Sequence, residues 1–185
     1  MMTFRRHWFC LLSVLTLVTS VQAQETAETA SPDKRFHIHF HGSNPILPES
    51  FTIEDAKGTT LLDSKACPEL VKIGTFFPEH VLWSPDSRTV AIVGGHSKLA
   101  ETYLFTLRGN AFICVRVPNV TDGHDNPAVF PVKWLSGRRL ILSITGPHAG
   151  KTRGYYYEGK ATLHVPTTGI PEVHYRYLID HDKAN

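Results

Sequence analysis

The segment Arg35–Ser43, RFHIHFHGS, sets histidines at every second position: His37, His39 and His41. Imidazole is a good ligand for zinc or copper, and it changes charge between about pH 5 and 8. In an extended strand successive side chains alternate faces, so the three histidines share one face and Phe36, Ile38 and Phe40 share the other. Histidines two apart lie about 7 Å from each other at Cα, whereas His37 and His41 lie about 13 Å apart, too far to share one ion on a straight strand. The metal reading therefore needs a His-x-His pair, His37/His39 or His39/His41, and a third ligand from elsewhere. His80, His96, His124, His148, His164, His174 and His181 are all available in the sequence. The competing reading is a solvated strand face whose imidazoles hold nothing. A pH-sensing role would also need a bistable element, and the sequence specifies none.

Other motifs carry less. GPHAGKT (Gly146–Thr152) is one residue short of a phosphate loop and runs into a strand-like segment rather than the helix such a loop requires. TDGHDN (Thr121–Asn126) offers oxygen ligands without EF-hand spacing, and its residues are ordinary turn formers. Asn119-Val120-Thr121 fits the glycosylation sequon. No G-x-S-x-G elbow is present. Asp86 with His80 or His96 is a conceivable dyad, but Asp86 sits where a turn needs it. No catalytic residue is assigned.

The N-terminus gives the compartment. Arg5 and Arg6 precede the apolar run Trp8–Val18, and Val21-Gln22-Ala23 is a small-x-small cleavage pattern. Residues 1–23 read as a secretory signal peptide, which makes the mature protein periplasmic or extracellular, with no stable membrane insertion after cleavage. Arg5 and Arg6 account for the formal net charge of +2. The mature chain is neutral, which argues against a nucleic-acid partner. Cys67 and Cys114 remain after cleavage, an even pair that suggests a disulfide in an oxidising compartment. Two separate buried thiols are the alternative.

These residues must be positioned by strands. Residues 24–34 are small and polar and read as a flexible lead-in. Residues 35–182 read as a single all-β domain of short antiparallel strands. Hairpins are expected over Phe51–Ser64, Tyr103–Val117 and Ala161–Tyr175, turning at Gly58, Gly109 and Gly169. A second hairpin type, Val81–Gly95, recurs as Val132–Gly146 about fifty residues later. One short helical turn is expected near Ala66–Ile73. Of Tyr155, Tyr156 and Tyr157, some are expected in the core and some on the surface.

Trp83-Ser84-Pro85-Asp86-Ser87-Arg88, followed by Val90-Ala91-Ile92, resembles the W-S-P-D-G-K/R motif of TolB-type, WD-like β-propeller repeats. The resemblance implies a turn between the two inner strands of a blade, followed by an outer hairpin. A degenerate copy starts at Trp134. It keeps Gly137 and Arg138, lacks the Pro-Asp pair and is one residue shorter. Ser87 stands where the family prefers glycine. The mature chain has room for about two and a half blades, and closed propellers typically use four to eight. The expectation is incomplete, propeller-like repeats: an open arc of blade-like sheets, an oligomer, or a small two-sheet β fold that uses the same turn chemistry.

An open arc leaves sheet edges that invite a protein partner or self-association. The function expected on these grounds is that of an exported, non-enzymatic binding protein of the cell envelope. The alternative is an envelope metal-binding protein holding zinc or copper on the His37/His39/His41 strand.

Overall fold

The computed structural model describes residues 30–70, 72–96, 99–121, 127–147 and 156–181. The expected signal peptide, the TDGHDN segment beyond Thr121 and the GPHAGKT segment beyond Pro147 lie outside them.

The described residues are all-β. A three-stranded antiparallel sheet holds β1 (Phe36–His41), β2 (Ser50–Asp55) and β3 (Thr60–Asp63). Two short 3-10 turns, Ser64–Ala66 and Pro68–Leu70, follow where one helical turn was expected. A four-stranded antiparallel meander comes next: β4 (Thr75–Trp83), β5 (Thr89–His96), β6 (Leu99–Arg108) and β7 (Ala111–Val115). A second meander contains β8 (Ala128–Leu135), β9 (Arg139–Pro147), β10 (Tyr156–His164) and β11 (Glu172–His181). One parallel pair, Ala100↔Ala128, joins the meanders. Among the described residues these make three blade-like units, the first described from the bridge residue Ala30 onward, and the sheets do not close into a barrel.

The turns set the repeat. Ser84 donates its N–H to Thr89 O (2.8 Å), Ser87 donates to Ser84 O (2.9 Å), and the Ser84 hydroxyl accepts from Thr89 N–H (2.9 Å) while donating to Asp86 Oδ1 (2.7 Å). Asp86 Oδ1 also accepts from Arg88 N–H (3.1 Å). Ser31-Pro32-Asp33-Lys34-Arg35 makes the same five bonds: Ser31 N–H to Phe36 O (2.8 Å), Lys34 N–H to Ser31 O (2.8 Å), Phe36 N–H to Ser31 Oγ (3.0 Å), Ser31 Oγ to Asp33 Oδ1 (2.8 Å) and Arg35 N–H to Asp33 Oδ1 (3.1 Å). Lys34 and Ser87 even share a left-handed conformation, φ 59° and 56°. The polar stretch ending at Lys34 is therefore not all lead-in: from Ala30 it is the first copy of the blade turn. The bridge Ala30↔His37 stands where Trp83↔Val90 stands in the second blade. In the third blade Gly137 and Arg138 both turn left-handed (φ 68° and 58°), which closes the shorter loop.

The blades stack face to face. One core layer holds Phe36, Ile38, Phe51 and Ile53 of the first blade against Phe76, Val90, Ile92 and Phe105 of the second. Phe51 is fully buried, with edge-on rings from Phe76 (4.9 Å) and Phe105 (5.2 Å), geometry that aromatic quadrupoles favour. A second layer packs Ala91 and Leu104, from the opposite face of the second blade, on Leu140, Leu142, Ile144 and Leu163 of the third. Alternation along each strand produces both layers.

Candidate binding surface

Aligning Ser31 with Ser84 puts His37, His39 and His41 level with Val90, Ile92 and Gly94. Aligning Trp83↔Val90 with Trp134↔Leu140 extends the series to Leu140, Leu142 and Ile144. In the second and third blades these positions press on the preceding blade. In the first blade they are histidines, partly or fully open to solvent. His39 Nε2 lies 3.6 Å from Glu54 Oε2, and His41 Nε2 is 3.1 Å from Thr52 Oγ1. Among the described residues no three His, Cys, Asp or Glu side chains converge as a metal would require. His80, one of the candidate third ligands, instead packs its ring on Phe130 at 4.7 Å. Among the described residues the first blade thus presents a polar face, as terminal repeats of stacked architectures do.

Cys67 and Cys114 are free thiols here, both against the first core layer. Burial pushes the Cys67 thiol up, reinforced by Glu69 and Asp63. Burial likewise pushes the Cys114 thiol up to about 12, with Glu69 and Cys67 adding to it. Cys114 lines an open cleft beside Tyr103, Glu101 and Pro118. The Tyr103 hydroxyl donates to Glu101 at 2.9 Å, and burial, then that carboxylate, raises its pKa. Burial in this cleft favours the protonated thiol, the opposite of what a nucleophile needs.

The motif residues are structural. Trp83 is buried and stacks on Phe36 (6.2 Å, 17°). Pro85 and Asp86 form the second turn. Trp134 donates its indole N–H to Leu82 O across the inner strands (3.2 Å). Gly137 supplies a left-handed residue in the third turn.

On the outer face of the third blade the sequence marked only the Tyr155–Tyr157 run, and the structure adds Tyr175, Tyr177 and Ile179 of β11. β10 buries Tyr157, Gly159, Ala161 and Leu163 and exposes Tyr156, Glu158, Lys160 and His164. The tyrosine run does divide between core and surface: Tyr157 is 0% exposed and Tyr156 45%. Pairing with β11 sets Tyr156 opposite His181, Glu158 opposite Ile179, Lys160 opposite Tyr177 and Thr162 opposite Tyr175. Directly opposed residues of antiparallel strands share a face, so one face carries three tyrosines and an isoleucine around a Glu-Lys pair. Tyr175 is 59% exposed and Ile179 49%. Tyr156 stacks on His181 (4.7 Å, 15°), whose Nε2 is 3.1 Å from Glu158 Oε1. Alternation in VHYRYLIDH was the available signal. β11 is also an edge: it spans 10 residues, against 5 in β7 and 4 in β3, and pairs with β10 alone among the described strands.

No family model, curated protein or solved structure matches this chain.

Proposed function

We propose that the protein is an exported, non-enzymatic binding protein of the cell envelope, an incomplete propeller of TolB-type repeats that engages its partner through the third blade. The observation that carries this reading is the contrast between the two ends of the stack. The first blade's outer face is polar where its counterparts are apolar. The third blade's outer face presents Tyr156, Tyr175, Tyr177 and Ile179 beside the edge strand β11, which pairs with β10 alone among the described strands. Tyrosines, apolar in body and polar at the tip, are enriched where surfaces alternate between free and bound states. A long unpaired edge adds main-chain donors and acceptors to such a face.

Export rests on Arg5, Arg6, the Trp8–Val18 run and the Val21-Gln22-Ala23 site. Sequencing the N-terminus of the secreted chain tests it, with Gln24 as the expected first residue. Binding is tested by placing a photo-crosslinking amino acid at Tyr177 or at His39 in cells that export the protein. Adducts from position 177 and none from position 39 are expected. Equal labelling from both, or none from either, overturns the reading.

A further inference from the structure

The third-blade face complements itself, and we propose that its occupant is a second copy of this chain, docked face to face about a twofold axis. This rests on the binding reading above and names its partner. Taken along β10 and β11, the exposed rows run Tyr156/His181, Glu158/Ile179, Lys160/Tyr177 and Thr162/Tyr175. A twofold axis crossing the strands at the level of Gly159 and Leu178 reverses this order. Each row then meets a row of the partner that suits it. Glu158 faces Lys160 of the second copy and Lys160 faces its Glu158. Ile179 lies on Tyr177 and Tyr177 on Ile179. Tyr156 and His181 meet Thr162 and Tyr175. An isologous interface requires this reciprocity, since whatever residue i offers j, j must offer i.

The other end of the arc is a poor alternative occupant. For a head-to-tail ring the third blade would have to receive the first blade's outer face. There His37, His39 and His41 hold the places that Val90 and Ile92, or Leu140, Leu142 and Ile144, use to pack on a neighbour. A face-to-face pair sets Tyr177 on Ile179, brings Tyr156 and Tyr175 against Thr162 and His181, and neutralises Glu158 and Lys160 pairwise. Like charges brought together there would instead oppose docking.

Sedimentation equilibrium of the purified, untagged mature chain tests the arrangement through charge reversal. The parent is expected to dimerise reversibly. Glu158→Lys alone sets lysine on lysine, and Lys160→Glu alone sets glutamate on glutamate. Each is expected to weaken the dimer about tenfold or more. Mixing the two single variants places lysines only opposite glutamates and restores association, as does the double reversal E158K/K160E. Tyr177→Ala, which removes the ring laid on Ile179 without adding a charge beside Lys160, should also weaken the dimer about tenfold or more. Circular dichroism on each variant establishes that the fold is kept.

A dimer indifferent to every one of these changes, or one abolished instead by His39→Glu, overturns the proposed face. A parent that stays monomeric at all concentrations overturns the second copy as partner. In that case adducts to a different protein from position 177 would leave the binding reading standing, and their absence would remove both.

Discussion

Arg138 of the third blade reaches across the interblade joint to Asp86 of the second, forming an ion pair through Nη1 and Oδ2. The same guanidinium donates through Nη2 to Thr89 Oγ1 (2.8 Å) and through Nε to Val165 O of its own blade (2.8 Å). One side chain therefore ties the turn of the second blade to both inner and outer strands of the third. Arginine's donors lie on three separate nitrogens, so it reaches three acceptors that a single ammonium nitrogen cannot approach together.

Arg138→Ala should accordingly destabilise the protein by about 2 kcal/mol, since removing a side chain only 19% exposed takes the Arg138 donors from Asp86 Oδ2, Thr89 Oγ1 and Val165 O. Arg138→Lys should recover no more than about half of that loss, because an ammonium cannot reproduce the fork. Urea denaturation followed by circular dichroism measures both. A lysine variant as stable as the parent would contradict the three-acceptor role.

The identical bonding of Ser31 and Ser84 makes a paired prediction. Ser31→Ala strips the hydroxyl from Phe36 N–H, and Ser84→Ala strips it from Thr89 N–H. Each leaves a buried amide without its acceptor, at about 1–2 kcal/mol. The two losses should agree within about 0.5 kcal/mol, which is close to experimental resolution. A neutral Ser31→Ala would mean that the first turn does not hold its blade.

Acid stability should follow the two turn aspartates. At Asp33 burial raises the pKa, but hydrogen bonds from Arg35 backbone and side chain, Ser31 and Ser87 outweigh it and bring the carboxyl down to about 2. At Asp86 burial is likewise outweighed, by Ser84, Arg88 N–H and Arg138. A carboxylate with a depressed folded pKa stabilises the fold above its unfolded pKa, near 3.8 here. That contribution is lost as pH falls from about 4 towards 2. Stability should therefore be flat from neutrality to about pH 5 as far as these two groups are concerned, then decline. Asp33→Asn should remove about 1 kcal/mol of this dependence, a figure already reduced for solvent screening of an exposed carboxylate. Thermal melts of parent and variant at intervals between pH 2 and 7 check the slope.

The histidine strand yields a test of both its readings. If the first blade ends the stack with a solvated face, the His37/His39/His41→Ala variant should bind zinc and copper no differently from the parent in calorimetry. His37→Val with His39→Ile, which restores the residue types of the second blade, should keep the fold within about 0.5 kcal/mol, as surface substitutions do. It should also promote self-association by creating an exposed apolar patch. Micromolar metal binding lost in the alanine variant would instead make this strand a ligand strand.

Much of the architecture was legible in the sequence. Short alternating runs punctuated by glycine give antiparallel hairpins because side-chain direction and turn conformation are local properties. Gly58, Gly109 and Gly169 are left-handed at the tips where hairpins were expected. Trp83-Ser84-Pro85-Asp86 marked a blade turn because serine and aspartate bond their own backbone nearby. The same logic applied to Ser31-Pro32-Asp33. That copy was hidden because Ala30 stands in the tryptophan's place and the surrounding residues are small and polar.

What the sequence by itself determined is the alternation of faces along each strand, the conformation of each turn and the polar character of His37, His39 and His41. Those follow from bonds and sterics within a few residues. Only the tertiary structure decided which faces are covered. The places filled by Val90 and Leu140 are interior because a preceding blade lies on them, and no blade among the described residues lies on the equivalent His37. Tyr175, Tyr177 and Ile179 alternate like any half-buried strand, yet nothing among the described residues lies over them. Burial is a property of what packs on a face, and partners dozens of residues away are chosen by the stacking of whole sheets rather than by local pattern.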